Sequence, residues 1–175
     1  MSEPGMKLAS ELDAVTVRLA DEADSAAIAD VLFAAFSKFE HEYTPESFAI
    51  VTPTTENVAT RIVEGPIWVA ERDGRVVGTV SVTTEPEGMY IRSMAVQPDA
   101  QGLGIGHRLL DAVGEYFQSS ELDRIFLYTT YFVPGAKELY EKHGFKWVRD
   151  TAAEEWYGTP GLEMDKSISH RGHEA

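Results

Sequence analysis

The chain has 175 residues, 43 % of them hydrophobic and 25 % charged, a balance that suits one globular domain with its own core. Its 29 acidic residues against 15 basic give a formal charge of −14, a field that repels phosphates and argues against DNA or RNA as a partner. There is no cysteine, no apolar run approaches a bilayer span, and the start MSEPGMKLASELD lacks the pattern of a secretory leader. Disulfides, thiolate zinc sites, a thiol nucleophile and membrane insertion are therefore set aside, and a cytoplasmic location is expected.

Residues 1–13 are polar and aperiodic and read as a flexible arm. AVTVRLA (14–20) alternates as a strand does. Asp21 or Asp24 can cap a helix over 24–37, where Ile28, Val31, Leu32, Ala35 and Phe36 recur at helical spacing. Residues 37–48 break that period, carry Pro45, and read as a long aromatic and charged loop. Thr54 or Thr55 opens a second helix to about Glu64, stopped by Gly65–Pro66. A strand at 66–72, the hairpin dipeptide Asp73–Gly74, a strand at 75–84, a turn at 85–88 and a strand at 89–97 follow, closed by Pro98. A helix over 107–118 presents Leu109, Leu110, Val113 and Phe117 on one face. Then come a strand at 124–130, a helix from Pro134 to His143 stopped by Gly144, and strands at 145–150 and 161–167. Residues 169–175 read as a flexible tail. No repeat or linker divides the chain, so 14–168 is expected to be a single α/β domain with an antiparallel centre.

One segment carries chemistry. QGLGIG (101–106) lies between a strand and an amphipathic helix. Glycine lets the backbone turn tightly and a ligand approach its amides. The first N–H groups of a helix lack internal partners, and with the helix dipole they form an anion site. The amides of Leu103, Gly104, Ile105 and Gly106, with His107, can thus wrap a pyrophosphate without any net positive charge on the protein. The competing reading is a purely conformational turn. Glycines at 102, 104 and 106 do not follow the Rossmann order, and the Gly-Lys-Ser/Thr of a P-loop is missing.

MAVQPDAQGLGIGHRLL, with Gln101, Gly104 and Gly106 in place and Val96 and Pro98 ahead of them, resembles the signature of the GNAT superfamily of acetyl-CoA-dependent N-acyltransferases. A second block matches at Ala136, Leu139, Tyr140, Glu141, Lys142, Gly144 and Phe145, in that family's order. The resemblance covers about 14–167. It implies a GNAT-like mixed, mostly antiparallel sheet of about 6–7 strands flanked by about 4 helices. It also implies acetyl-CoA as cosubstrate, transfer to an amine in a ternary complex, and a homodimer as one allowed form. No metal is expected, because the histidines show no ligand spacing.

The resemblance further implies that the main chain of Met94, Ala95 and Val96 pairs with the pantetheine arm, with an amide such as that of Ala95 polarising the thioester carbonyl. Gln101, Gly102, Leu103, Gly104, Ile105, Gly106 and His107 would hold the pyrophosphate, and Arg108 would add charge to it. Tyr140 would protonate the departing thiolate; from helical spacing alone it reads as a core tyrosine. An Asn common in the family is replaced by Val133, with Thr129 or Thr130 as substitutes. Glu87, or Tyr90 through a water chain, is the candidate base. His41 and Glu42 are candidate substrate contacts. The acceptor is a small-molecule or peptide amine, and the acidic and aromatic residues of 38–53 and 150–162 suit a cation. Two other readings are an acyl-CoA-binding sensor without catalysis and an adaptor that uses its acidic surface.

Overall fold

The computed structural model describes residues 14–168; the arm at 1–13 and the tail at 169–175 lie outside the described residues. Strand β1 (Val15–Leu19) leads to Asp21, whose carboxylate accepts from the Ala23 N–H at 2.9 Å while Asp24 accepts from the Asp21 N–H at 2.8 Å. This reciprocal cap opens a 3₁₀ turn that continues into helix α1 (Ser25–Phe36). The segment expected to be a loop is instead a 3₁₀ stretch, Ser37–Glu42, followed by a short helix α2 (Pro45–Val51). Pro45 does not break this helix. It occupies the first turn, where no N–H is needed, behind Thr44, whose side chain caps the Ser47 N–H. Thr54 caps α3 (Thr55–Glu64) in the same way through the Asn57 N–H.

Strands β2 (Ile67–Arg72), β3 (Arg75–Glu85) and β4 (Gly88–Val96) form a meander. Helix α4 (Ile105–Ser119), β5 (Arg124–Thr129), α5 (Ala136–Lys142), β6 (Lys146–Thr151) and β7 (Gly161–Ser167) complete the chain. The result is a seven-stranded sheet in the order β1-β2-β3-β4-β5-β7-β6. Its pairs are antiparallel except β4 with β5. Five helices flank it rather than about four, the addition being α2. Against one face pack Leu109, Leu110, Val113 and Phe117 of α4 with Tyr140 of α5, over Val82, Met89, Ile91, Ile125 and Leu127. Against the other pack Ile28, Val31 and Leu32 of α1 with Val58 of α3, over Ile67, Val69 and Ala95.

Two irregularities make room for a site. The β3–β4 register steps from Ser81↔Ser93 to Val82↔Ile91, so Arg92 is the extra residue of a bulge in β4. The parallel pairing of β4 with β5 covers Met89↔Ile125, Tyr90↔Phe126 and Ile91↔Leu127 and ends there. Beyond Ile91 the two strands part. The second half of β4 keeps β3 on one side and faces a gap on the other.

Candidate functional site

The gap has a defined chemistry because the ladder has a parity. The Gln97 N–H donates to the Val77 carbonyl at 2.7 Å. In an antiparallel pair, residues that exchange both bonds alternate with residues whose N–H and C=O point outward. With Val77 and Gln97 bonded, Ala95 bonds to Thr79 and Ser93 to Ser81, while Met94 and Val96 direct their main-chain groups into the gap. The Val96 carbonyl confirms this, accepting from the side-chain amide of Gln101 at 3.3 Å. The amide of Ala95 therefore faces β3, and the Met94 amide is the one directed outward. An extended ligand chain can use such an edge as it would a neighbouring strand.

The gap opens into a groove of about 640 Å³ that includes Met94, Ala95, Val96, Gln101, Gly102, Gly104, Ile105, Gly106 and His107 among its lining residues. Helix α4 begins two residues earlier than the apolar spacing predicted. Gly104, in the left-handed region at φ 79°, swings the chain into the helix as its N-cap, so the amides of the glycine-rich turn become first-turn amides. A Cβ built on Gly106 would stand 3.1 Å from Leu139 and 3.4 Å from Met94, which closes the passage between α4 and α5. Free amides, a helix N-terminus and a side-chain-free wall fit a pyrophosphate on an acidic protein.

One side chain expected here is turned elsewhere. Arg108 is turned to β1, where its Nη1 donates to the Val15 carbonyl, and its own N–H returns to Gly104 O at 3.3 Å. One helical step of about 100° beyond His107, Arg108 faces the Val15 carbonyl and is not among the groove's lining residues. Leu103 packs its side chain against the core; the role expected of it belongs to its main-chain N–H and does not need the side chain.

Tyr140 stands where the groove meets a second, inner pocket of about 100 Å³; it lines both, as do Met94 and Val133. Its ring packs edge-on to Phe145 with centroids 5.8 Å apart. Burial, reinforced by the neighbouring phenol of Tyr90, pushes the Tyr140 hydroxyl well above its ordinary range, so it is protonated at neutral pH. The inner pocket is walled further by Tyr43, Tyr90, Arg92, Tyr128, Thr130, Trp156 and Thr159. Burial likewise pushes Tyr90 and Tyr43 up to about 12. Glu87 lies in the exposed β3–β4 turn and lines an outer cleft rather than this pocket. No carboxylate or imidazole is among the residues lining the inner pocket, and among the described residues no group of three or more His, Asp or Glu is placed to hold a metal ion.

Tyr43 and Trp156 belong to the two stretches expected to shape the acceptor side, whereas Thr159 was not singled out from the sequence. They arrive from distant segments held by polar contacts, Ser47 Oγ to Thr159 Oγ1 at 2.6 Å and Thr44 Oγ1 donating to Tyr157 O at 2.6 Å. His41 and Glu42 are exposed, pair with each other at 3.4 Å, and are not among the pocket-lining residues. Neither is Thr54 or any residue of α3; Thr129 and Thr130 both line the pocket, as does Val133.

His107 meets His143, with Nδ1 and Nε2 2.8 Å apart and the rings stacked at 5.0 Å. One ring must donate and the other accept. Burial holds His143 below its ordinary value; Asp111 opposes this, and His107 and Lys166 add to it. The unfolded chain then binds more protons than the folded one between the two values. Stability should be complete above the ordinary histidine value of 6.5 and fall as pH drops below it. Melting temperatures between pH 8 and pH 5 check this, and His143→Gln should flatten the slope.

A partly open sheet whose free strand edge runs into a helix N-terminus defines a class of α/β proteins built to hold an extended, anion-tipped ligand. A sequence model of the acetyltransferase (GNAT) family matches residues 28–145, more than half of the chain, and the chain belongs to that family. An IAA acetyltransferase from Azospirillum brasilense is 37 % identical over 79 residues, 44 % of this chain and 52 % of that protein. The chain spans about half or less of the length of the curated relatives it matches. The fold is shared with the PaiA N-acetyltransferase of Thermoplasma acidophilum in complex with coenzyme A (TM-score 0.74, 18 % identity, 88 % of this chain and 99 % of that one). It is shared too with YncA of Salmonella typhimurium with acetyl-CoA, at TM-score 0.69 and 20 % identity over 91 % of this chain and 96 % of that one. Among the described residues no helix is long and apolar enough to cross a membrane.

Proposed function

We propose that the chain transfers an acetyl group from acetyl-CoA to a primary amine, in the cytoplasm, with both substrates bound at once. One observation carries this reading: the free edge of β4 leads from the amides at Gly104–His107 to the buried phenol of Tyr140, where a second pocket begins. The first-turn amides bind the pyrophosphate, and the main-chain groups of Met94 and Val96 hold the pantetheine arm. The thioester carbonyl then falls to the Met94 amide, which faces the gap, rather than to that of Ala95. The amine nitrogen bonds to the carbonyl carbon, the C–S bond breaks, and Tyr140 gives its proton to sulfur. The amine's own proton leaves to water, and water returns a proton to the Tyr140 phenolate, so the cycle closes with no net proton change. Holding the two substrates in line supplies much of the acceleration.

Thiol release from acetyl-CoA with a panel of amines tests this, together with the melting temperature in the presence of CoA. Release with at least one amine and a CoA-dependent rise are expected; no rise with CoA sinks the reading. A second reading, a sensor that binds acyl-CoA without turnover, is favoured by the inner pocket's lack of a carboxylate or imidazole. A rise with CoA and no release with any amine would select it.

A further inference from the structure

We propose that the acceptor is a linear polyamine, with its reacting nitrogen uncharged in the inner pocket and a second, charged nitrogen held outside it; this rests on the acetyl-transfer reading above. The inner pocket shares part of its wall with a second opening. Tyr90, Tyr128 and Trp156 line both the pocket and this opening, an outer cleft of about 910 Å³. The cleft carries Glu46, Glu85, Glu87, Glu154 and Glu155, and no basic residue is among those lining it. Two of the carboxylates are engaged, Glu155 by Arg149 at 2.7 Å and Glu85 by Thr83 at 2.9 Å. Glu46, Glu87 and Glu154 make no ion pair or hydrogen bond among the described residues. Anionic rims over aromatic walls attract a cation twice, by charge and by the ring faces.

The inner pocket has the opposite preference. Its charged lining residue is Arg92, which pairs with Glu64 at 2.5 Å, and its other polar groups are hydroxyls, main chain and the indole N–H of Trp156, which is engaged with Tyr90. An ammonium placed there meets no carboxylate, whereas a neutral amine finds oxygen acceptors. One of these is conspicuous. Thr130 Oγ1 is sealed from solvent, in a residue only 9 % exposed, and makes no hydrogen bond of normal geometry. The Tyr43 phenol beside it is the group it influences. A buried hydroxyl left short of a partner costs stability unless a ligand completes it, and an N–H does so.

A polyamine meets both demands. A second ammonium nearby makes the first nitrogen easier to deprotonate, because like charges disfavour each other. The narrow inner pocket admits an unbranched aminoalkyl end more readily than the branched α-carbon of a peptide terminus. The charged remainder then reaches past Trp156 to the glutamates.

Steady-state kinetics with 1,6-diaminohexane and n-hexylamine at equal pH test this, alongside calorimetric binding of spermidine to the CoA-loaded protein. The diamine should have a KM about tenfold lower than the monoamine, the difference shrinking as salt is added. Glu46→Gln with Glu154→Gln should raise the diamine KM about fivefold and leave both the monoamine KM and the acetyl-CoA KM unchanged. Equal KM values for the two amines, an unaltered diamine KM in the double variant, or better turnover of a basic peptide than of the diamine overturns the proposal but leaves acetyl transfer standing. Spermidine that fails to bind overturns it whether or not any amine is acetylated. Failure of every amine to release thiol, with CoA still raising the melting temperature, removes the acetyl-transfer reading itself and this inference with it.

Discussion

Tyr140→Phe should lower kcat about 100-fold while leaving the KM for acetyl-CoA within about twofold. The ring lies between the groove and the inner pocket and packs on Phe145, and a phenylalanine keeps that packing. What is lost is one hydroxyl whose burial holds it protonated. Sulfur gains charge only as the C–S bond breaks, so a donor aimed there acts on the barrier and not on ground-state binding. The pH profile separates the roles further. A proton donor raised far above neutrality gives no falling limb near pH 8 in the wild type. A thiolate leaving without a donor should make the residual rate of the variant depend more strongly on the pKa of the thiol, measurable with acyl donors of different leaving groups. A kcat equal to wild type would remove Tyr140 from the chemistry and return it to the core.

Gly104→Val should raise the KM for acetyl-CoA about five- to thirtyfold, an effect of the size that one strained left-handed residue of about 1–2 kcal/mol produces. Gly104 has φ 79° and serves as N-cap to α4. A β-branched residue there must either bear the strain or move the turn, and moving the turn misdirects the first-turn amides proposed to bind the anion. The effect should appear in the binding of CoA measured by calorimetry and scarcely in kcat at saturating acetyl-CoA. Gly114, in the middle of the same helix with nothing within 4 Å of a built Cβ, provides the control. Gly114→Ala should leave CoA binding unchanged, and a similar loss in both variants would mean that the helix, not the turn, is at fault.

The strands were legible because their signals are local. The alternation at 14–20, the Asp73–Gly74 turn and the Pro98 stop each act within a few residues, and β1, β2, β3 and β4 lie within two residues of the ranges they imply. Helix α2 was missed for a reason of the same kind. Pro45 was read as a breaker, although a Thr immediately before it makes it a first-turn proline. The second block of resemblance lies on α5 and its end, but spacing alone could not show that Tyr140 lies between two cavities. The wall of the inner pocket was less accessible still. Tyr43, Arg92 and Thr130 come from three parts of the chain and Trp156 with Thr159 from a fourth, and no periodicity links them. Arg108 illustrates a limit of motif reading. It follows His107 in sequence, but one helical step of about 100° turns its side chain to the Val15 carbonyl of β1.

The parting of β4 from β5 also bears on how the molecule holds together. Three residue pairs join the meander β1–β4 to the block β5-β7-β6, fewer than the six that join β5 to β7. Seams with few rungs are where cooperative units separate first. A ligand lying along Met94 and Val96 adds rungs at that seam. Part of its binding energy then becomes resistance of the whole domain to opening, and occupancy and mechanical unity rise together.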